Sequence, residues 1–313
     1  MLKVKDENSI RPFTLRNVYA KINRPRLEVI KWLQELGLLA KSCNCSSLNC
    51  DSVVLAPSNC NDGYVWVCSN KKHNFKKSIR KGTWFEGTRL AMEEVIIILY
   101  FWIHEFSQVQ VRQELHITES ILTYYSYCRE VAVDVMINNS IKIGGKNQVV
   151  EIFVSKFSRR KTSAGRKKSE DQWVYCGVEL GKSLGRCFML PVDIHYTSTF
   201  ISVIKNFVLS ESTVYCECLN IYKNFDDQGL KDLCADHSVT LTDNLNKCIV
   251  KGNKVQGLWN LLKPNLPNYN RQQDNAMFTG YLGEYLYRKR IRDCSDKFLQ
   301  FLNDIAHLYT SST

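Results

Sequence analysis

Four residues constrain the first third of this chain more tightly than any hydrophobic pattern. Cys45, Cys50, Cys68 and His73 form a C-x4-C pair followed by a C-x4-H pair. Large apolar residues are scarce between 43 and 63, so this stretch has little with which to build a core. Zinc accepts four tetrahedral sulfur or imidazole ligands from paired knuckles of this kind and can staple a small ribbon together. The Gly-containing turn "NDGYVWVC" leads into the second pair. Cys43 or Cys60 can replace one of the four, and a cluster of free thiols is the alternative reading. Four protein ligands leave no open position for chemistry, so zinc bound here is structural.

The other cysteines say something about compartment. Thirteen cysteines, an odd number, with no apolar core in "MLKVKDENSIRPFTLRNVYA" to serve as an export signal, argue against a disulfide framework. They favour a reducing, intracellular setting, and Cys128, Cys176, Cys187 and Cys294 read as small core residues. The most apolar run, "VIIILYFWI" (95–103), is too short to span a bilayer and reads as a buried helix, so no membrane partner is expected. Lys and Arg number 42 against 31 acids, a net +11 that favours a polyanionic partner.

Periodicity divides the chain into five segments. Residues 1–42 are an N-terminal helical segment carrying "RPRLEVIKWLQELGLLA", with Val29, Trp32, Leu33 and Leu36 on one face and Gly37 as its stop. Residues 43–87 are the zinc-ribbon-like module. Residues 88–142 are helical: one helix from Thr88 through Phe106, a second over Val109–Leu115, and a third through Met136 capped by Thr118. The last two, joined by "HI", predict either a helix-turn-helix or an ordinary helical hairpin. Tyr124, Tyr125 and Tyr127 leave few base-reading side chains on the second of them. Beyond the turn cluster "INNSIKIGGKN" the signals become strand-like over 147–263: "QVVEIFVSKF", "QWVYCGVEL", "RCFMLPVDI", the helical "TFISVIKNFVL", then "STVYCECL". A mixed sheet with flanking helices, an α+β or α/β architecture, follows from that order. Residues 264–313 form a C-terminal helical tail.

Two features bear on chemistry. Seven Lys and Arg fall within the thirteen residues from Lys156 to Lys168. Lys156, Arg159, Arg160, Lys161 and Arg166 are therefore candidate phosphate contacts on double-stranded DNA, the alternative being a solvated charged hairpin. "YRKRIR" (287–292) is a second basic run. A lone acid, Glu151, also sits inside the apolar strand "VVEIFV", with Phe153 two residues on.

Taken in order, "DGYVWVC…SIRKGTWF", "VEIFVSKF", "RRKTSAGR", "QWVYCGVE", "VYCECLNIY", "DHSVTLTD", "GNKVQGLWNLLK" and "YLGEYLYR" resemble Merlin-type transposases and their insertion-sequence relatives, from about Cys43 to Arg288. The resemblance implies a zinc-ribbon-like, helical N-terminal region before an RNase H-like catalytic domain that cuts and joins DNA with divalent metal, ordinarily Mg2+. It also implies where the acids belong. The first metal-binding Asp falls on Phe153 and the second on Glu217. In the third region Asn253 and Lys263 match, while the acid falls on Gln256. Magnesium requires hard oxygen ligands, usually carboxylates. Phenylalanine supplies none, Glu217 is longer by one bond of roughly 1.5 Å, and two amides replace charge. Glu151 shares a sheet face with Phe153 but lies about 6.6 Å along the strand, while two-metal sites hold their ions about 4 Å apart.

The expectation is a transposon-derived, nuclear, DNA-binding protein that carries structural zinc and has lost its magnesium site. Two alternatives stand beside it: an active transposase with altered ligands, and a protein-interaction scaffold. Homo-oligomerisation is left open.

Overall fold

The computed structural model describes residues 12–47, 50, 52–117, 120–140, 142–157, 172–180, 186–192, 197–216, 238–241 and 275–309. The chain folds as two compact units, Met1–Val135 with Arg288–Thr313, and Met136–Tyr287. Helices and mixed sheets are both present, and no described helix is long and apolar enough to cross a membrane.

The first unit opens with α1 (Leu15–Ile22), which sequence periodicity did not reveal. Its start is set locally: Thr14 Oγ1 accepts the Asn17 N–H, and the Asn17 side chain accepts the Thr14 N–H at 2.8 Å. Helix α2 (Arg26–Glu35) buries Val29, Ile30, Trp32 and Leu33. It ends where Gly37 takes φ +76°, a left-handed turn open to glycine at little cost. Three short strands follow, β1 (Val53–Pro57), β2 (Tyr64–Cys68) and β3 (Lys76–Ser78), paired antiparallel in that order.

Helix α3 (Met92–Ile103) is the core of this unit, with every residue from Val95 to Ile103 buried. It begins four residues later than its pattern suggests because the backbone ahead of it is already engaged. The buried Arg80 guanidinium donates to Thr88 O (3.2 Å) and Leu90 O (2.8 Å) and grips Asp62 through both carboxylate oxygens. One buried ion pair thus ties the ribbon to the start of α3. Helix α4 (Gln108–Leu115) is capped by Ser107 and Gln110, and α5 (Ser120–Asn138) follows. Tyr124 and Tyr125 are buried, their hydroxyls held by Thr88 and by Phe106 O, while Tyr127 is exposed.

The second unit is built on a five-stranded mixed sheet. After the two-residue β4 (Ile143–Gly144) come β5 (Val149–Phe157), β6 (Gln172–Leu180) and β7 (Cys187–Val192), then helix α6 (Thr197–Phe207), the two-residue β8 (Val208–Leu209), β9 (Thr213–Cys216) and β10 (Ser238–Leu241). The strand order is β10-β9-β5-β6-β7. Strands β5, β6 and β7 are antiparallel, and β9 joins β5 in parallel, as a chain returning through a helix must. Pro191 lies on the edge strand β7, where a missing donor is tolerated.

Side chains alternate across β5 and supply two cores. Val150, Ile152 and Val154 pack with Tyr175, Phe200, Val203 and Ile204 on one face. Phe153 packs with Val174, Cys176 and Met189 on the other, where helix α7 (Asn275–Arg290) lays down Phe278, Leu282 and Leu286. Gly177 pairs with Phe188, whose ring lies over it, so a Cβ there would stand 2.2 Å from Phe188 Cε1.

The C-terminal pattern resolves into α7 and α8 (Lys297–Leu308), split by a turn before Asp296, which caps α8 by accepting the Leu299 N–H at 2.9 Å. Helix α8 packs on α3 through Trp102–Phe301 (4.7 Å between ring centroids) and Tyr100–Phe298 (5.2 Å). Arg288, in the last turn of α7, donates to Ile103 O (3.1 Å) at the end of α3 and to Trp102 O (2.7 Å), which also accepts the Glu105 N–H at 3.0 Å.

Two substitutions test these supports. Arg80→Met strands the buried Asp62 carboxylate and should cost about 3–5 kcal/mol, whereas Arg80→Met with Asp62→Leu should recover much of it. Denaturant unfolding of the three proteins measures both effects. Gly177→Val should cost about 1–3 kcal/mol through displacement of Phe188, and Phe188→Ala in the same chain should relieve part of that.

Candidate functional site

The two ligand pairs are brought together by the β1–β2–β3 ribbon. Cys68 is the last residue of β2, which antiparallel pairing with β1 holds in register from Val53↔Cys68 to Pro57↔Tyr64. The chain then makes a tight loop back to β3. Asn70 caps a single 3-10 turn (Lys71–His73) by accepting the Lys72 N–H at 3.1 Å. Asn74 follows in the left-handed region at φ 41°, and Cys68 N–H donates to Phe75 O at 3.2 Å to close the loop. The C-x4-H spacing is therefore a hydrogen-bonded loop with its first and last ligands facing inward. Ser69 N–H donates to Ser52 O at 2.7 Å and anchors the segment that follows Cys50.

The ligand atoms of Cys45, Cys50, Cys68 and His73 all lie within 4.8 Å of one another, and among the described residues these four alone gather in this way. Cys50 Sγ stands 3.4 Å from Cys68 Sγ, and His73 Nδ1 stands 3.5 Å from both Cys45 Sγ and Cys68 Sγ. Zinc–sulfur bonds of about 2.3 Å at tetrahedral angles place sulfurs roughly 3.8 Å apart, so the cluster matches the size of a closed zinc site. Cys43 and Cys60 stand apart, their thiols directed at Asn44 O and Tyr64 O. The arrangement can hold a metal such as zinc, with Nδ1 as the imidazole donor. Three thiols and an imidazole fill a tetrahedral shell, so the ion would be structural.

The electrostatics of the thiols differ in opposite directions. A hydrogen bond from the Ser47 backbone, reinforced by His73, Cys68 and Cys50, lowers Cys45 to about 7 despite some burial. Burial pushes Cys68 up to about 11, with the neighbouring thiols adding to the rise. One sulfur is thus ready to bind a cation near neutrality, and another must give up a proton to do so.

The residues expected to form a catalytic centre are described only in part. Phe153 is the fifth of nine residues in β5, half-buried against the α7-covered core. Glu151, two positions earlier, is buried. The strand stays in the core beyond Phe153, since Val154 is buried and β6 pairs with β5 through Phe157. The parallel pairing of β5 with β9 runs from Val149↔Thr213 to Ile152↔Cys216. Glu217, Asn253, Gln256 and Lys263 lie outside the described residues, as do Arg159, Arg160, Lys161, Arg166 and the side chain of Lys156. Sequence reasoning missed Asn70, which touches His73 Nε2 at 3.2 Å on the side away from the thiols. An Asn two residues after a ligating Cys, followed by a short basic turn, was the available signal.

No family model and no curated protein matches the chain. Among solved structures, a chain in the cryoEM structure of the simian T-cell lymphotropic virus intasome in complex with PP2A regulatory subunit B56 gamma is similar at 13% identity with a TM-score of 0.29. The match covers 59% of this chain and 66% of that one, just under two thirds of its length. A likeness of that size carries no argument about fold or function.

Metal binding should follow the thiol protonation. Purified protein should carry about one zinc per chain, and Cys68→Ser should leave well under that by elemental analysis. Affinity should rise with pH because protons compete with metal for the thiols. The dependence should flatten by about one proton as pH rises through 7, where Cys45 becomes thiolate unaided, while Cys68 releases its proton over the whole range up to about 11. Competition titrations from pH 6 to 8.5 measure the slope, and a slope that does not change across pH 7 contradicts the assignment.

Proposed function

We propose that this chain is a transposase-like protein of Merlin type that binds double-stranded DNA and has lost the ability to cut it. On this reading residues 147–263 are an RNase H-like domain, 43–87 a zinc-ribbon module, and 88–142 the helical segment between them. The observation that carries the proposal is the register of β5 and β9. Their described pairing ends at Ile152↔Cys216, and the residues that follow these two in sequence are Phe153 and Glu217. Those are the two positions that the sequence resemblance gives to the first two metal-binding acids. A mixed sheet with β5 at its centre and helices on its faces supports the same reading.

The chemistry then follows from side chains. Strand cleavage in such a site needs carboxylates that hold divalent metal against the attacking and leaving oxygens. Phe153 offers a hydrocarbon ring that is already part of an apolar core. Glu151 lies on the same face but one pleat away, about 6.6 Å along the strand, too far to replace an acid at 153 in a site about 4 Å across. The third region contributes Asn253 and Gln256, both neutral. What persists is positive charge: Lys156 near the end of β5, and Arg159, Arg160, Lys161 and Arg166 after it in sequence, suit the DNA backbone.

Binding without cutting is the expected behaviour. The unmodified protein should bind random duplex with an affinity that falls steeply with salt, and should not nick it with Mg2+ or Mn2+. Phe153→Asp alone should recover little. Phe153→Asp, Glu217→Asp and Gln256→Glu together should restore metal affinity before activity. Metal-dependent nicking by the unmodified protein, abolished by Glu217→Ala, would contradict the proposal.

A further inference from the structure

The second knuckle carries more than metal ligands. From Gly63 to Phe85 the sequence contains no Asp or Glu, yet it holds Lys71, Lys72, Lys76, Lys77, Arg80 and Lys81. Arg80 is consumed by Asp62 and the α3 entry, whereas all five lysines are exposed, and Arg89 a little further on is exposed too. A soluble face normally intersperses both signs of charge. Here the one acid from 63 to 89 is Glu86, which is taken up by Lys81 and the Gly82 N–H. Lysines on an edge strand are a common guard against unwanted strand pairing, and that accounts for Lys76 and Lys77 on β3. It does not account for Lys71 and Lys72, which sit on the loop and have no edge to guard.

That loop is bracketed by metal ligands. Cys68 precedes the lysine pair and His73 follows it directly, so an ion held by both closes the loop on which Lys71 and Lys72 stand. Trp66, on the central strand β2, is buried, and Tyr64 and Phe75 are half-buried. Among the described residues of the ribbon none presents an exposed aromatic ring, which single-stranded bases would need for stacking. Point charges without stacking platforms suit the phosphates of a duplex.

We propose that the lysine loop and edge strand of the ribbon form a duplex-DNA contact surface in addition to the basic sequence at 156–168, and that metal in the Cys45–Cys50–Cys68–His73 site holds it in place. This rests on the DNA-binding reading above and adds to it a location and a dependence on metal. Positive charge at the ribbon would anchor DNA whatever its sequence, since lysine–phosphate contacts carry no base information.

The test uses the full zinc-loaded chain and a random-sequence duplex of 30 base pairs, with fluorescence anisotropy followed across a salt series. The comparison variant is Lys71→Gln/Lys72→Gln/Lys76→Gln/Lys77→Gln, with zinc content as the check that its ribbon still folds. The slope of log affinity against log salt should fall by about 3 to 4, close to 0.9 for each phosphate contact removed, and affinity should drop more than tenfold at low salt. Chelation of zinc should reproduce much of that loss in the unmodified chain and add little to it in the variant. If the unmodified protein binds duplex and the variant binds equally well, the ribbon surface is refuted while the DNA reading stands. If chelation leaves binding intact, the metal dependence is refuted. If the unmodified protein binds no duplex, both fall together, and tighter binding to a single-stranded oligonucleotide overturns the choice of duplex.

Discussion

Backbone pairing on both edges of β5 is the constraint on which the second unit depends. The strand gives its donors and acceptors to β6 on one side and β9 on the other, so it has no free edge along Val149–Ile152. Both of its faces are covered, one by α6 and the other by α7. A strand held in that way cannot slip by one residue without exchanging its two faces. Whatever occupies position 153 is therefore fixed against the α7-side core, and a phenylalanine there is an ordinary packing residue. The same position occupied by a carboxylate would demand a partner cation. On the proposed reading, a sheet held in this way tolerates phenylalanine in place of an acid at 153 without unfolding.

The ribbon is held by different physics. Its first half has few large side chains, and beside the buried Trp66, Ile79 and Phe85 its order comes from antiparallel pairing, the Asn70 and Asn74 turn, and ligands gathered for a metal. Its join to the helical core is also polar, through Arg80 and Asp62, a pair that is costly to break and adds little net stability over a well-packed apolar substitute. What such a pair supplies is a fixed angle of departure for the chain at Thr88–Leu90. That angle sets where α3, the most apolar element of the unit, begins.

Much of this was legible in the sequence, and the failures have physical causes. The four ligands were readable because metal geometry acts over short, countable spacings, and their convergence bears that out. The strands β5 and β6 were readable to the residue at their C-terminal ends because both pair over nine residues. Helix α1 was missed since "LRNVYAKI" has only two buried apolar residues and draws its order from a capping box. Helix α3 starts later than its pattern suggests, and nothing in "TRLA" announces that the Thr88 and Leu90 carbonyls belong to Arg80. The break between α7 and α8 hides in "RIRDCSD", where only Asp296 as a cap marks the restart. Strand β10 is four residues long and depends on β9 for its pairing, so no local pattern could establish it. The expected role of Glu217, Asn253, Gln256 and Lys263 rests on resemblance rather than on spacing.

The proposal that the sheet keeps its form without a working divalent-metal site is tested most directly by manganese binding. Zinc-loaded protein titrated with Mn2+ and followed by electron paramagnetic resonance should show free manganese rising in proportion to the amount added, with no bound fraction at micromolar concentrations. The Phe153→Asp/Glu217→Asp/Gln256→Glu protein should withdraw Mn2+ from solution under the same conditions. One or two tightly bound Mn2+ ions in the unmodified protein, released by Glu217→Ala, would contradict the account.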